Sequence, residues 1–434
     1  MNELESDSLA FATSTVQEAG ETCAPPRASL TDRACQALIF RAFARMRRGR
    51  LTLRLPDGSL REFGTGEDGP LAEVSVRSSH FFRRCVVDGD IGFGESYQAG
   101  EWDSPDLCAV IAWFCANVEQ APTLSGSQNR GWFAALGGLA NRLRHALNRN
   151  SLAGSKANIH AHYDLGNAFY SLWLDPTMTY SAALFEFPDQ DLAAAQTAKY
   201  DRLCRELRLR PTDHVLEIGS GWGGFTEHAV RNYGCRVTTV TISEEQRKFA
   251  GERFARAGIA DRAEVKLQDY RLLTGQFDKI VSIEMLEAVG DQYLEAYFGK
   301  VQSLLTPQGL FAAQFITYPD SRYARLRDGV DWIQKHIFPG SLLLSLNRVG
   351  QAIQKTGSLS LHNLHDLGLD YAQTLRLWRG RFNGQLDAVR ALGFDERFIR
   401  TWNYYLAYCE AAFAWRNISV VQATWTGPNN RSLM

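Results

Sequence analysis

The chain has little that would direct it into a membrane, onto a nucleic acid or into an oxidising compartment. No stretch sustains the run of roughly 20 apolar residues that a bilayer-spanning helix needs, so any membrane contact is expected to be peripheral. Lys and Arg number 47 against 48 Asp and Glu, and the net charge of −1 argues against a globally basic nucleic-acid binder. The cysteines (Cys23, Cys35, Cys85, Cys108, Cys115, Cys204, Cys235 and Cys409) show no paired spacing. A disulfide framework and a zinc site therefore both fall away, leaving isolated reduced thiols in a cytoplasmic protein without a metal. Asp88, Asp90 and Glu95 lie close together but lack EF-hand spacing, and they read as turn carboxylates on a β surface.

What is present is organised around Asp213 to Gly224, D-H-V-L-E-I-G-S-G-W-G-G, a short apolar run that ends in four glycines. Val215, Leu216 and Ile218 read as a buried parallel strand, Gly219, Gly221, Gly223 and Gly224 as a tight turn, and Phe225 to Tyr233 as the helix that follows. Strand, glycine turn and helix N-terminus make a nucleotide-type site. A dinucleotide site places an acid at the end of the next strand, about 20 residues on. That acid is missing, because Cys235 to Thr241 ends in threonine and runs into T-I-S-E-E-Q. Glu217 within the glycine stretch, Thr241 and Gln246, and Gln268-Asp269-Tyr270 after a third strand at Ala263 to Leu267 instead resemble a class I S-adenosylmethionine methyltransferase.

At 434 residues the chain exceeds one typical core. Residues 1–32, rich in Ser, Thr, Ala and Glu, read as a flexible tail. A small α+β domain is expected over 33–118, where L-T-L-R-L-P-D-G-S-L-R-E-F-G alternates like strands about a turn and V-V-D-G-D-I-G-F-G-E-S-Y repeats the style. No acid occurs between Glu119 and Asp164, while Arg130, Arg142, Arg144, Arg149 and Lys156 fall there. Trp132, Leu136, Leu139, Leu143 and Leu147 recur at helical spacing, so 119–157 reads as a basic amphipathic linker helix. It suits either an anionic membrane surface or the protein's own core.

The rest, 158–434, carries long motifs: H-Y-D-L-G-N-x-F-Y-x-L-W-L-D-x-T-M-T-Y-S, then E-I-G-x-G-W-G-G, then T-I-S-x-x-Q. Together they resemble the cyclopropane-fatty-acid synthase family, which includes the mycolic acid cyclopropane synthases and related lipid methyltransferases. The resemblance runs from about Asn158 to Trp425. It implies a Rossmann-like class I methyltransferase core, with a helical cover over about 318–370 that houses an acyl chain and a final strand at Ile418 to Trp425. It also implies that Tyr180, Ser181, Gly219, Gly221, Thr241, Gln246, Asp269 and Tyr270 hold S-adenosyl-L-methionine, with Glu217, Gly223 and Gln268 beside them. Asp269 would accept the adenine amino proton. The expected partners are the unsaturated acyl chain of a phospholipid and the inner face of the membrane, with a homodimer as a family-level expectation.

Glu284 and Glu287, in I-E-M-L-E-A-V-G, follow a fourth strand at Phe277 to Ser282, at the edge where open α/β sheets place ligands. By the resemblance Glu287, Ile316 and Tyr371 belong to the active site. Methyl transfer to one alkene carbon leaves a cation on its neighbour, and loss of a proton then closes a cyclopropane or leaves a methyl-branched alkene. In the family the proton acceptor is taken to be a bicarbonate held by a Cys, a Glu, a His, a Tyr and a backbone amide. Here the Cys position is Ala182 and the His position is Gln314, so bicarbonate binding is in doubt and Glu284 or Glu287 is a candidate to act directly. Methylation of a soluble small molecule, and lipid binding without turnover, are the alternatives.

Overall fold

The computed structural model describes residues 29–120 and 165–433; the rest of the expected tail and the linker segment 121–157 lie outside the described residues. Helix α1 (Leu30–Phe43) starts inside the stretch assigned above to the tail. Ser29 caps it by accepting from Asp32 N at 3.1 Å, and Asp32 is buried. Strands β1 (Arg50–Arg54) and β2 (Leu60–Gly64) form the expected hairpin, and β3 (Leu71–Val76) runs parallel to β1.

The segment read as further strand is instead a helix, α2 (His80–Gln98), kinked at Gly89, whose φ of 59° places it outside helical geometry. Its aromatics bury one face, and Gly94 lets Trp332 approach so closely that a Cβ would sit 2.5 Å from the indole. Glycine reads as a turn residue when packing is invisible; here it permits contact. Asp88, Asp90 and Glu95 thus lie on a helix, and Glu95 Oε1 accepts from Lys335 Nζ at 2.6 Å and His336 Nε2 at 3.0 Å. Strand β4 (Trp102–Asp103) completes a four-stranded sheet of order β2-β1-β3-β4, and α3 (Leu107–Ala116) follows.

Beyond α4 (Gly166–Ser171) and α5 (Leu192–Glu206) lies the main sheet. Its elements are β5 (His214–Ile218), α6 (Gly224–Tyr233), β6 (Arg236–Thr241), α7 (Glu244–Arg256), β7 (Ala263–Leu267), β8 (Phe277–Ile283), α8 (Leu294–Leu304) and β9 (Leu305–Thr317). The cover follows as α9 (Asp320–Asp328), α10 (Trp332–His336), α11 (Leu346–Thr356), β10 (Ser360–Asp366), α12 (Gly368–Asn383), α13 (Leu386–Ala391) and α14 (Glu396–Ala414), before β11 (Ser419–Thr426). The strand order is β10-β11-β9-β8-β5-β6-β7, with β11 antiparallel to both neighbours. This is the class I methyltransferase arrangement. One strand, β10, had been expected inside the helical cover. It sits at the sheet edge with its residues mostly exposed, so it lacks the apolar run that marks a buried strand.

β5 and β8 are the central neighbours, and the chain leaves β5 toward β6 and β7 but returns through β8 and β9 on the other side. The sheet therefore reverses its winding at their carboxyl ends, where ligands of open α/β sheets bind. One hydrophobic cluster joins the N-terminal elements, α4 and helices α12 and α14, while two others cover the two faces of the sheet.

Arg400 of α14 ties the N-terminal elements to the cover. Its guanidinium donates to Tyr97 O at 2.6 Å and to Trp102 O at 2.8 Å, and it stacks 3.8 Å from the Tyr97 ring centroid. Arg400→Ala removes both of these charge-assisted bonds and the ring contact, leaving Tyr97 O with its local bond from Gly100 N at 2.9 Å, and a loss of about 1–3 kcal/mol is expected in urea unfolding of the whole chain. A midpoint unchanged from wild type would show the contact to be incidental.

Candidate functional site

The turn after β5 is built from conformations that favour glycine: Gly219, Gly221 and Gly223 have φ of 96°, 47° and 84°. A Cβ on Gly221 would meet nothing within 4 Å and would project into open space, so the turn leaves a cradle for a ligand. Gly223 differs. It caps α6, a Cβ there would lie 2.8 Å from Phe254, and it does not line the cavity, so its role is close packing of helix on helix.

A cavity of about 540 Å³ starts at this turn and runs beneath the cover. Tyr180, Ser181, Glu217, Gly219, Gly221 and Thr241 line it, as do Gln246, Gln268, Asp269 and Tyr270. Thr241 Oγ1 donates to Gln246 Oε1 at 2.9 Å, which orders the end of β6. Burial pushes Glu217 up to about 7, opposed by the hydroxyl of Thr226, which donates to Oε2 at 2.6 Å. Asp269 is more committed than its sequence suggests. Arg271 Nε donates to Oδ1 at 2.9 Å, Arg271 Nη2 to Oδ2 at 2.6 Å, and the Arg271 backbone also to Oδ1. One lone-pair direction on Oδ2 is then left for an amino donor.

Farther in, Glu284 and Glu287 project from the segment after β8, with Ile316 and Tyr371 also lining the cavity. Glu284 has a φ of 48°, a conformation that costs a non-glycine residue about 1–3 kcal/mol, so the side chain it carries must be held by its surroundings. Three donors from three parts of the chain hold it. Ala182 N donates to Oε1 at 2.8 Å, Gln314 Nε2 to Oε1 at 2.8 Å, and the Tyr371 hydroxyl to Oε2 at 3.0 Å. Gln314 is fully buried and does not line the cavity; it sits behind Glu284 and also donates to Ala182 O at 3.1 Å.

Glu287 has a different environment. Ile316 N donates to Oε1 at 2.6 Å, and Oε2 is buried with no partner among the described residues. Burial, with the charge of Glu284 nearby, pushes Glu287 up to about 8. Burial also raises Glu284, but its donors and the Lys199 ammonium work the other way. The two carboxyls are thereby set apart: the donors and Lys199 favour the charged form of Glu284 against its burial, while Glu287, with fewer donors, retains its proton near neutrality.

Aromatic rings close the space around the pair. Tyr180 lies 5.4 Å from both Trp173 and Trp378 and its hydroxyl meets that of Tyr405 at 2.7 Å, while Tyr371 packs 4.5 Å from Phe413. The cavity continues to Ile39, Phe43 and Met46 of the N-terminal elements, a wall that the sequence reading had left entirely to the cover. It also missed Gln422, whose Nε2 donates to Gln314 Oε1 at 3.0 Å, and Lys199, whose Nζ donates to Ser181 Oγ at 2.7 Å. Gln196 and Lys199 occupy the buried stripe of α5 beside Leu192, Ala195 and Leu203, and polar residues within an apolar stripe were the available signal. Among the described residues no cluster of His, Cys, Asp and Glu could hold a metal, and no helix is long and apolar enough to cross a membrane.

The chain is similar to known proteins along most of its length. A family model described as mycolic acid cyclopropane synthetase matches residues 150–423. The tuberculostearic acid methyltransferase UfaA1 of Mycobacterium tuberculosis is 39% identical over 92% of this chain and 93% of its own length. The cyclopropane-fatty-acyl-phospholipid synthase of Escherichia coli is 35% identical over 82% and 88%. The crystal structure of mycolic acid cyclopropane synthase CmaA1 complexed with SAH and CTAB superposes with a TM-score of 0.58 at 30% identity, covering 62% of this chain and 97% of that one.

Because Glu287 keeps its proton to about pH 8 in the folded state and loses it near 4.5 when unfolded, the folded form binds the extra proton between those values. Its contribution makes stability fall as pH rises through that window. Glu287→Gln should flatten the decline in melting temperature between pH 5 and 7. The slope removed is at most about 1.4 kcal/mol per pH unit. Parallel pH profiles for the two proteins would refute the assignment.

Proposed function

The chain belongs to the mycolic acid cyclopropane synthetase family of S-adenosyl-L-methionine-dependent enzymes that modify unsaturated lipid acyl chains, and from this premise we propose that Glu284 is its proton acceptor and a methyl-branched unsaturated chain its product. The observation that carries this reading is the grip on Glu284. Ala182 N, Gln314 and Tyr371 would otherwise be free to hold a small anion, and all three already hold a carboxylate of the chain itself. These donors therefore do not fit a bound bicarbonate.

The cradle at Gly221 and the polar groups of Ser181, Thr241, Gln246 and Asp269 suit the cofactor, and these residues would hold it. When bound, it supplies an electrophilic methyl group. The chain's own residues do the rest. Tyr180, Trp173, Trp378 and Phe413 exclude water, and the rings of Tyr180 and Tyr371 face the cation left on the alkene carbon next to the new C–C bond. Glu284 Oε2, which has one bonded donor, keeps a lone pair for the proton. Breaking a C–H bond on the chain carbon beside the cation sends the proton to Oε2 and the electron pair into a new double bond. Glu287, still protonated, adds no second negative charge. A base fixed in the wall takes a proton from the carbon lying against it, which favours the chain over the rotating new methyl. The relative at 39% identity is likewise named a methyltransferase.

The substrate we favour is the acyl chain of a membrane phospholipid, reached from the membrane surface. The support is the acid-free basic stretch carrying Arg142, Arg144 and Arg149.

Glu284→Gln is expected to lower kcat by about 100-fold or more, while removing dissolved bicarbonate leaves the wild-type rate unchanged. The product should take up hydrogen under mild catalytic hydrogenation. A product that resists hydrogenation and shows high-field ring protons by NMR, or a rate that requires bicarbonate, would overturn the reading. Exchanging the three arginines for Gln should release the protein from anionic vesicles, as should added salt; pelleting that survives both changes would remove the membrane from the proposal.

A further inference from the structure

Lys199 is fully buried on α5, and among the described residues its ammonium hydrogen-bonds a hydroxyl rather than a carboxylate. A buried cation without a direct partner is costly, so its one short contact is informative. Nζ donates to Ser181 Oγ at 2.7 Å and lies 4.2 Å from the Tyr200 ring centroid. An ammonium has three hydrogens to donate and no lone pair to accept with. Whenever Lys199 is an ammonium, Ser181 Oγ therefore accepts in this pair, and its own hydrogen is turned elsewhere.

Where that hydrogen can go is narrowly defined. Ser181 lines the cavity, and its hydroxyl has no other partner among the described residues; its carbonyl is anchored separately by Gln196 Nε2 at 2.9 Å. The Tyr200 hydroxyl bonds that of Thr179 at 2.8 Å and packs on Gly224, where a Cβ would lie 2.7 Å from it. Thr179 is therefore held beside Gly224 at the N-terminus of α6, and Ser181, two residues on, lines the same cavity as the glycine turn. That is where backbone N–H groups and the helix dipole favour a negative group. The cofactor carries one such group, the carboxylate of its methionine part.

We propose that Lys199 is a positioning residue that fixes the Ser181 hydroxyl as a donor to the carboxylate of the bound cofactor, an inference that rests on the cofactor reading above. Burial pushes the ammonium down to about 7, while Glu284, Asp175 and Glu217 favour its charged form. An arriving carboxylate favours the charge further. Because the lysine reaches the cofactor only through Ser181, it acts on the amino-acid end and not on the nucleoside.

Calorimetric titration of the whole chain below pH 7, where the ammonium form prevails, tests this with two ligands. S-adenosylhomocysteine has the carboxylate; 5′-methylthioadenosine keeps the nucleoside and thioether but lacks the amino-acid end. Lys199→Met is expected to weaken S-adenosylhomocysteine about 10- to 100-fold, the worth of a charge-assisted hydrogen bond, with methylthioadenosine unchanged. Ser181→Ala should give the same pair of results, and the double variant no further loss. Equal weakening of both ligands, unchanged S-adenosylhomocysteine affinity, or additive losses in the double variant would overturn the proposal. Should the methionine variant not fold, Lys199→Gln takes its place with the same outcomes on each side. A wild-type chain that binds neither ligand would instead overturn the cofactor reading.

Discussion

The site depends on one carboxylate held in an unfavourable backbone conformation. Glu284 can sit at a positive φ because Ala182 from the segment before α5, Gln314 from β9 and Tyr371 from α12 all donate to it. These donors come from a loop, the sheet and the cover, so the contact that stabilises the anion also locks three layers of the structure together. Behind it, Gln422 of β11 supports Gln314 at 3.0 Å and reaches the Lys199 carbonyl at 3.3 Å. The network is buried and continuous. In such surroundings each hydrogen bond is strong, and each missing one is correspondingly costly.

That network divides the charge of the cavity. Glu217, Glu284 and Glu287 are three acids lining one apolar space, and burial raises all three. Full ionisation of such a group is unfavourable, so the distribution of donors decides which carboxyl keeps its proton. Glu284 receives three donors and Glu287 one, which favours the charged form of the first and the neutral form of the second. Lys199 does not line the cavity, and in its charged form it favours the ionised state of both Glu284 and Glu217.

The N-terminal elements are part of this enclosure. Trp102 and Trp113 belong to the same hydrophobic cluster as Trp173, Trp378 and Trp402, and Gly94 of α2 lets Trp332 of the cover pack against that helix. Ile39, Phe43 and Met46 then contribute wall to a cavity whose chemistry lies on the distant sheet edge. An apolar space of this size inside a close-packed protein is unusual unless an apolar ligand fills it.

Much of this was written into the chain locally. The glycine turn after β5 and the strand at Ala263–Leu267 were legible in sequence because each rests on short-range patterning, apolar runs and glycine spacing, while motif order pointed to the residues that the structure gathers around one cavity, among them Glu284 and Glu287. The α2 glycines misled because a helix that needs close approach and a turn that needs a positive φ use the same residue. The exposed edge strand β10 left no apolar signature. Lys199 and Gln422 escaped notice because a buried polar residue is identified by its partners, and these lie beyond any local pattern: Ser181 is 18 residues from Lys199 and Gln314 is 108 from Gln422. By itself the sequence determined which groups could do the chemistry. Only the tertiary structure decided how the two carboxyls differ, since that depends on how many donors from remote segments converge on each oxygen.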